Sequence, residues 1–321
     1  MYIYLDLVEG FSCEMCGKCC RNSWMVTVDA DSYERNKDLF RKIGKESEFI
    51  QAFIPLTAGA GPGEYACIAK KGDGSCWFLE QDNRCRLHRE AGHSHLDGVC
   101  QTFPRYPMST ARGIEITLSF SCPAVLRMAV RNEPFAIIRS EKPPIEVYEQ
   151  NCVADVFPRQ KPAANVLRYY FELEQHFIDI LQCRTALVGN RLNLLFQTIT
   201  AIERYPQGED IRQHLDQIFR GNYALMDSWG TKEYPLNKSE VLIENFFVNM
   251  VFKKVFYLYG LSPAALFIKH IWQGIEPVYL MEDEPEQVFR QVAAIIADME
   301  FHYGHDRAAF FKSVNNGEGH S

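Results

Sequence analysis

The residues best suited to chemistry are four cysteines in a single run, CEMCGKCC, at Cys13, Cys16, Cys19 and Cys20. Thiolates at this spacing bind soft metals, and the two candidates are zinc and an iron–sulfur cluster. Because the side chains of adjacent residues diverge, Cys19 and Cys20 are not expected to bind one ion in the same way; one of them could serve a second metal or act as a bridge. The run predicts a metal centre in the first third of the chain.

Five further cysteines extend the set of candidate metal ligands: Cys67, Cys76, Cys85, Cys100 and Cys122. The eight cysteines up to Cys100 could supply two four-cysteine sites, or one site together with buried thiols. We favour an iron–sulfur cluster, of the 4Fe-4S type, over zinc. Arg105 follows Cys100 closely, and its guanidinium is predicted to bind the cofactor by neutralising thiolate charge or holding an anionic group. A surface salt bridge is the alternative role for Arg105.

The composition limits the class of protein. The chain has 321 residues, 47% of them hydrophobic, which is enough for one large domain or two smaller ones. A net charge of −7 argues against a surface that binds nucleic acid or anionic lipid. No apolar stretch approaches the roughly 18–20 residues of a membrane helix, and the acidic N-terminus is unlike a signal peptide. We therefore expect a cytoplasmic protein that contacts no membrane and keeps its thiols reduced.

Short elements are predicted around the cysteines. Segment Trp24–Val28 predicts a strand, and residues 29–45 predict a helix with an acidic first turn. Alternating apolar and polar residues predict a second strand over Ile114–Leu118, followed by a helix over 121–130 that Ser121 caps. The glycine-rich stretch 57–64 is interpreted as a flexible loop rather than a loop that binds S-adenosylmethionine, because a βαβ context is missing.

The second half of the chain has a helical pattern. Apolar residues at helical spacing predict a helix over 163–183. A capping box, formed by Asn237 and Glu240, predicts a helix over 237–260, and a further helix is predicted over 285–311. These signals indicate that helices dominate after the Pro-containing stretch that follows the cysteines.

The combined patterns predict an α+β fold, with a small Cys-rich metal-binding N-terminal region followed by a mainly α-helical C-terminal domain. The predicted divisions are a Cys-rich (CxxCxxCC) domain over 1–132, a Pro-containing connection over 133–160, a helical domain over 161–314 and a disordered tail over 315–321. The helical part favours an enzyme over a bare metal carrier, since a carrier has no need of such a domain.

Several motifs, taken in order, resemble known families. CEMCGKCC resembles the signature of the CxxCxxCC zinc- or iron-chelating domain. Further segments are similar to the flagellin lysine-N-methylase family: Cys76–Leu79, Cys85–Leu87, Cys100–Arg105 (CQTFPR), Leu118–Pro123 (LSFSCP) and Ile243–Phe252 (IENFFVNMVF). The resemblance covers most of the chain in separated blocks.

The resemblance implies an enzyme that methylates lysine ε-amines on a flagellin-like protein, with S-adenosylmethionine as donor and an iron–sulfur cluster on the cysteines. A deprotonated lysine needs no radical to accept a methyl group; it needs a dry pocket, a base and an aligned sulfonium. No catalytic residue is assigned: Tyr65, Asp97 and Glu115 lie near cysteine blocks only along the chain. A zinc- or iron-chelating protein and an iron–sulfur electron carrier or sensor stay open as alternatives.

Overall fold

The computed structural model describes residues 1–22, 24–56, 63–145, 147, 152–205 and 210–303. Three predicted segments lie outside the described residues: 57–62 of the glycine-rich loop, 304–311 of the last predicted helix, and the tail 315–321. Among the described helices, none combines the length and the apolar character that a membrane crossing requires.

The described part of the chain contains eight strands and twelve α-helices. The strands are β1 (Tyr2–Leu5), β2 (Thr27–Val28), β3 (Phe53–Pro55), β4 (Ala66–Ile68), β5 (Arg105–Thr110), β6 (Gly113–Leu118), β7 (Ile137–Ser140) and β8 (Asp155–Val156). The helices are α1 (Ala30–Lys42), α2 (Glu46–Ala52), α3 (Arg86–Ala91), α4 (Gly98–Thr102), α5 (Pro123–Ala129), α6 (Tyr170–Leu181), α7 (Val188–Glu203), α8 (Ile211–Ser228), α9 (Lys238–Phe252), α10 (Val255–Tyr259), α11 (Leu261–Tyr279) and α12 (Pro285–Tyr303). Sheets in the N-terminal half and helices in the C-terminal half confirm the predicted mixture of the two.

The chain divides into two compact units. The smaller unit is Ser12–Phe103, and the larger unit joins Met1–Phe11 to the residues from Pro104 onward. These limits differ from the predicted domain limits because β1 pairs in parallel with β6, which takes the N-terminal residues into the larger unit. The predicted connection 133–160 also contributes strands β7 and β8 to the sheet of that unit.

The larger unit contains a five-stranded sheet in the order β7-β1-β6-β5-β8. Strands β5 and β6 form an antiparallel hairpin, whereas β5 pairs in parallel with β8. The predicted strand Ile114–Leu118 is confirmed within β6, and its residues Ile116 and Leu118 are fully buried. The N-cap of helix α5 is Cys122 rather than the predicted Ser121, because Ser121 instead shares a hydrogen bond with the Ser119 hydroxyl at 2.7 Å.

Helix α9 lies at the centre of the core of the larger unit, where every residue from Ser239 to Phe252 is buried. The predicted capping box is confirmed. The Asn237 side chain accepts a hydrogen bond from the amide of Glu240, and the Glu240 carboxylate accepts one from the amide of Asn237. The box satisfies backbone donors that a buried helix start would otherwise leave without partners.

Two buried asparagines attach α9 to its neighbours. Asn245 donates a hydrogen bond to the carbonyl of Ala129 at 2.7 Å, and Asn249 donates one to the carbonyl of Leu118 at 3.1 Å. Because a buried amide is costly unless it is hydrogen-bonded, these contacts favour one register of α9 against α5 and β6.

Helix α9 ends before Lys254 instead of continuing to residue 260. Lys254 has the left-handed conformation, with φ 64°, which costs a residue with a side chain about 1–2 kcal/mol. Its fully buried Nζ lies 2.7 Å from the Glu115 carboxylate and also pairs with Glu174. The sequence pattern indicated one helix because the partners that stabilise this break lie far away along the chain.

Replacing Glu115 by glutamine is expected to lower the free energy of unfolding by about 3 kcal/mol. Glu115 is fully buried, accepts hydrogen bonds from Arg112 at 2.9 and 2.8 Å, and pairs with Lys254. This loss of stability lies at the low end of the range for breaking a buried ion pair, because Glu174 continues to pair with both Arg112 and Lys254. Urea denaturation at neutral pH measures the change.

Acid is expected to remove the contribution of Glu115. Burial opposes ionisation, but the charges of Lys254 and Arg112 hold the pKa of Glu115 at about 2, below its ordinary value of 4.5. The stabilisation is therefore present above pH 4.5 and is lost as the pH falls through 2. The difference in the free energy of unfolding between wild type and E115Q should shrink toward zero between these two pH values. The exposed Glu172, 3.7 Å from Arg159, supplies the control E172Q. An E115Q deficit that does not vary with pH would contradict the expectation.

The smaller unit has its own antiparallel sheet, in the order β2-β4-β3, and its own core. The predicted helix after the cysteine run is confirmed as α1, whose N-cap Asp29 accepts a hydrogen bond from the Ser32 amide at 2.7 Å. The predicted strand Trp24–Val28 shortens to β2, because only Thr27 and Val28 pair with β4.

Candidate metal centre

The CEMCGKCC run forms a sharply bent loop. Met15 and Gly17 both have positive φ, 51° and 69°, and the run ends in a single 3₁₀ turn, Lys18–Cys20. Cys13 and Cys16 are exposed, whereas Cys19 and Cys20 are half-buried. The loop therefore presents its first two thiols to solvent and packs its last two against the protein.

The Cys19 and Cys20 sulfur atoms approach each other to 3.9 Å rather than diverging as expected for adjacent residues. This contact lowers the pKa of Cys19 to about 7. The same contact, followed by burial and by charge on Cys76 and Cys100, raises the pKa of Cys20. Two sulfur atoms of the run thus face a common region, which Cys76 and Cys100 also approach.

Two consecutive turns position Cys76 and Cys85. The first turn brings Cys76 opposite Lys70, and the second brings Cys85 opposite Leu79. The Cys76 amide donates a hydrogen bond to the carbonyl of Cys20 at 2.7 Å, which joins the cysteine run to the first turn. Cys85 is the N-cap of α3, and burial raises the pKa of both thiols.

Cys100 lies within α4, and Asp97 is the N-cap residue of the same helix. The Asp97 side chain does not cap the helix. It is 1% exposed, and both carboxylate oxygens are buried without a hydrogen-bond partner. Burial, then the nearby charge of Asp29, raises the pKa of Asp97 to about 7. Its charge in turn contributes to raising the pKa of Cys76 and of Cys85.

The donor set fits a soft metal. The thiols of Cys19, Cys20, Cys76, Cys85 and Cys100 lie near enough in the smaller unit for their charges to affect one another's pKa, and thiolates are the preferred ligands of zinc and of iron–sulfur clusters. The buried, partnerless carboxylate of Asp97 is costly next to thiolates unless a cation compensates it. Within the described ranges, however, no group of three or more such side chains already has ligand geometry, so metal binding requires the sulfur atoms to move together.

Three predicted site residues are placed differently. Cys67 is half-buried at the centre of β4, on the opposite strand face from Ala66 and Ile68, which belong to the core that Cys76 joins. Cys122 belongs to the larger unit as the N-cap of α5. Arg105, also in the larger unit, begins β5 and lies over the ring of Phe11, with its Cζ atom 5.5 Å from the centroid. The structure does not gather Cys67 with the other five thiols.

Known proteins resemble this chain over about half of its length. Lysine-N-methylases of Salmonella typhimurium and Salmonella choleraesuis are each 27% identical over 161 residues, which is 50% of this chain and 39% of the enzyme. Flagellar biosynthetic protein FliU of Salmonella muenchen is 27% identical over 137 residues, 42% of this chain and 79% of that protein. The motif-based resemblance to the flagellin lysine-N-methylase family is thus supported at the level of distant homology.

The match has clear limits. The aligned stretch spans about two fifths of the length of the lysine-N-methylases. No family model matches the chain, so the resemblance to the CxxCxxCC chelating domain stays a prediction. No solved structure matches it either.

Gly17→Ala is expected to destabilise the cysteine loop by about 1–2 kcal/mol. Gly17 has φ 69°, and a Cβ atom there would meet the Arg21 side chain and lie 3.2 Å from Asn83 Oδ1. The loss of stability is measured by unfolding the protein in urea while tryptophan fluorescence is recorded. Gly72→Ala is the matched control in the same unit, because nothing lies within 4 Å of the added Cβ atom. Equal stabilities for the two variants would contradict the expectation.

Proposed function

We propose that this chain is a metal-containing protein-lysine N-methyltransferase of the flagellin lysine-N-methylase family. The observation that carries the proposal is the 27% identity over 161 residues to proteins named lysine-N-methylase. The name of FliU, which refers to flagellar biosynthesis, supports a flagellin-like protein as the methyl acceptor.

We propose that the metal is held in the smaller unit. Cys76, Cys85 and Cys100, together with Cys19 or Cys20, would supply the thiolate ligands, and the bent loop would allow Cys13 and Cys16 to close over the metal. An iron–sulfur cluster is favoured over zinc because several cysteines stand in one short run. A bound metal ion would supply positive charge that compensates the thiolates and the buried carboxylate of Asp97.

The proposed reaction is a direct methyl transfer. The lone pair of the deprotonated lysine nitrogen forms a bond to the methyl carbon of S-adenosylmethionine, and the carbon–sulfur bond breaks. The sulfonium becomes the neutral thioether of S-adenosylhomocysteine, and the proton that lysine loses passes to a base or to water. Alignment of nitrogen, carbon and sulfur lowers the barrier, as in other bimolecular reactions that an enzyme makes unimolecular.

Incubation of the full chain, purified without oxygen, with flagellin and labelled S-adenosylmethionine tests the proposal. The expected result is label on flagellin lysines, identified by mass spectrometry, and none on a flagellin with its exposed lysines acetylated. Metal analysis of the same sample separates the alternatives. A metal-loaded chain that transfers no methyl group to protein lysines would overturn the methyltransferase and favour a chelating or electron-transfer protein.

A further inference from the structure

An open cleft of about 560 Å³ lies in the larger unit, between α6 and the first half of α8. Five arginines line it: Arg112, Arg139, Arg159, Arg168 and Arg212. Only two acidic residues, Glu172 and Asp216, share the lining. The volume suits a ligand of cofactor size, and the cleft concentrates positive charge in a chain whose net charge is −7.

Most of this positive charge is not compensated by carboxylates. Among the described residues, Arg139 and Arg212 have no carboxylate partner. Arg168 donates hydrogen bonds to two main-chain carbonyls, those of Arg159 at 2.6 Å and Lys161 at 2.8 Å, which position the guanidinium without neutralising it. Arg112 is held in buried ion pairs with Glu115 and Glu174, and Arg159 forms an exposed pair with Glu172 at 3.7 Å. A guanidinium with unsatisfied donors is well suited to phosphate oxygens.

One wall of the cleft is aromatic. The rings of His176 and Phe219 stack with their centroids 4.0 Å apart and an interplanar angle of 26°, and Tyr223 meets His176 edge-on at 5.0 Å. Aromatic residues from α6 and α8 thereby line the cleft beside the arginines; the His176 ring is buried behind Phe219 and Tyr223, which leaves those two rings accessible. Planar rings bind such surfaces by stacking, so the cleft combines a stacking surface with an anion-binding surface.

The tautomer of His176 adds a buried donor to this wall. The Thr198 hydroxyl donates to the Leu194 carbonyl at 2.7 Å, so its oxygen accepts from Asn222 Nδ2 at 2.8 Å. The same Nδ2 lies 2.9 Å from His176 Nε2, which must therefore be the acceptor. The proton of the neutral ring is on Nδ1, and that atom is buried without a partner.

We propose that this cleft binds an anionic ligand with a planar ring, of the nucleoside-phosphate class. Phosphate oxygens would contact Arg139, Arg168 and Arg212, and the ring would lie against Phe219 and Tyr223, which His176 supports from behind. Excess positive charge disfavours the cationic sulfonium of S-adenosylmethionine, so this ligand differs from the proposed methyl donor. The inference does not depend on the proposed function.

Isothermal titration of the full chain with ADP at low salt tests the proposal. Binding is expected, and the affinity should fall at least about tenfold in R212Q and in R168Q, since each variant removes a charged hydrogen-bond donor. The matched control is R220Q, an exposed arginine on the same helix that does not line the cleft. Circular dichroism of each variant establishes that the fold is retained.

Two fragments of the ligand separate the contributions of the ring and of the phosphates. Adenosine, which has no phosphate, and pyrophosphate, which has no ring, are each expected to bind at least about tenfold more weakly than ADP. The proposal is overturned if ADP does not bind, if R212Q and R168Q bind it as wild type does, or if R220Q weakens binding as much as they do. It is also overturned if either fragment binds as tightly as ADP.

Discussion

Cys76→Ser is expected to reduce the metal bound per chain to less than about a tenth of the wild-type content. Cys76 is 7% exposed, its amide is hydrogen-bonded to Cys20, and its charge acts on Cys20 and Cys85. Cys76 is a central thiolate of the proposed soft-metal site, and serine is a poor replacement for such a ligand. Iron, zinc and acid-labile sulfide, measured on protein purified without oxygen, give the content and distinguish a cluster from zinc.

Two further serine variants make the experiment specific. Cys183, in the larger unit, contacts Thr185 with sulfur and oxygen 3.3 Å apart, and C183S should retain the metal. C67S should also retain it, because Cys67 lies on the other face of β4 from the core that Cys76 joins. Loss of metal in C67S with full retention in C76S would contradict the proposed metal site.

The same variant should be less stable than wild type when both are prepared with metal. In the proposed site the ligand thiols come together only in the folded smaller unit, so the free energy of metal binding would add to the free energy of folding. Chelation of wild-type protein should lower its stability toward that of C76S and leave C76S nearly unchanged. If a chelator destabilised both proteins equally, the loss of stability would not be caused by removal of metal from the proposed site.

Glu244→Gln is expected to lower the free energy of unfolding of the larger unit by about 5 kcal/mol. Glu244 lies in α9 and accepts hydrogen bonds from Arg184 at 2.7 Å and from Arg191 at 2.6 Å. Arg191 is fully buried, and two of its nitrogens, Nε and Nη2, already have no hydrogen-bond partner. Without the carboxylate charge, two buried guanidinium groups would keep only neutral partners, among them the main-chain carbonyls of Asn132 and Leu181, which explains why the loss exceeds that for Glu115.

Urea denaturation of E244Q, with E286Q as control, tests this expectation. Glu286 pairs with Lys238 at 3.2 Å, but both side chains are more than half exposed, so E286Q should change stability by less than about 1 kcal/mol. A double-mutant cycle with R191M then isolates the pair: R191M/E244Q should be more stable than the sum of the single losses predicts. Strict additivity would contradict an energetic link between Arg191 and Glu244.

Local sequence signals determined much of this molecule. The acidic start of α1, the position of β6 and the capping box of α9 are predicted correctly from neighbouring residues. The alternation in β6 does not mark an exposed polar face, because Glu115 and Thr117 are buried as well. The cysteine spacing predicts a soft-metal site, which stays a prediction; five of the nine predicted cysteine ligands lie near one another in the smaller unit. Each of these features can be predicted from only a few consecutive residues.

Tertiary structure decided the rest, because the deciding partners are far apart along the chain. The break at Lys254 depends on Glu115 and Glu174, and the N-terminal strand joins the larger unit because it pairs with β6. The arginine cleft collects side chains from 112 to 212, with no spacing that marks them. Cys67 has the residue type of a ligand but faces away from the core, since strand alternation, not composition, sets the direction of a side chain.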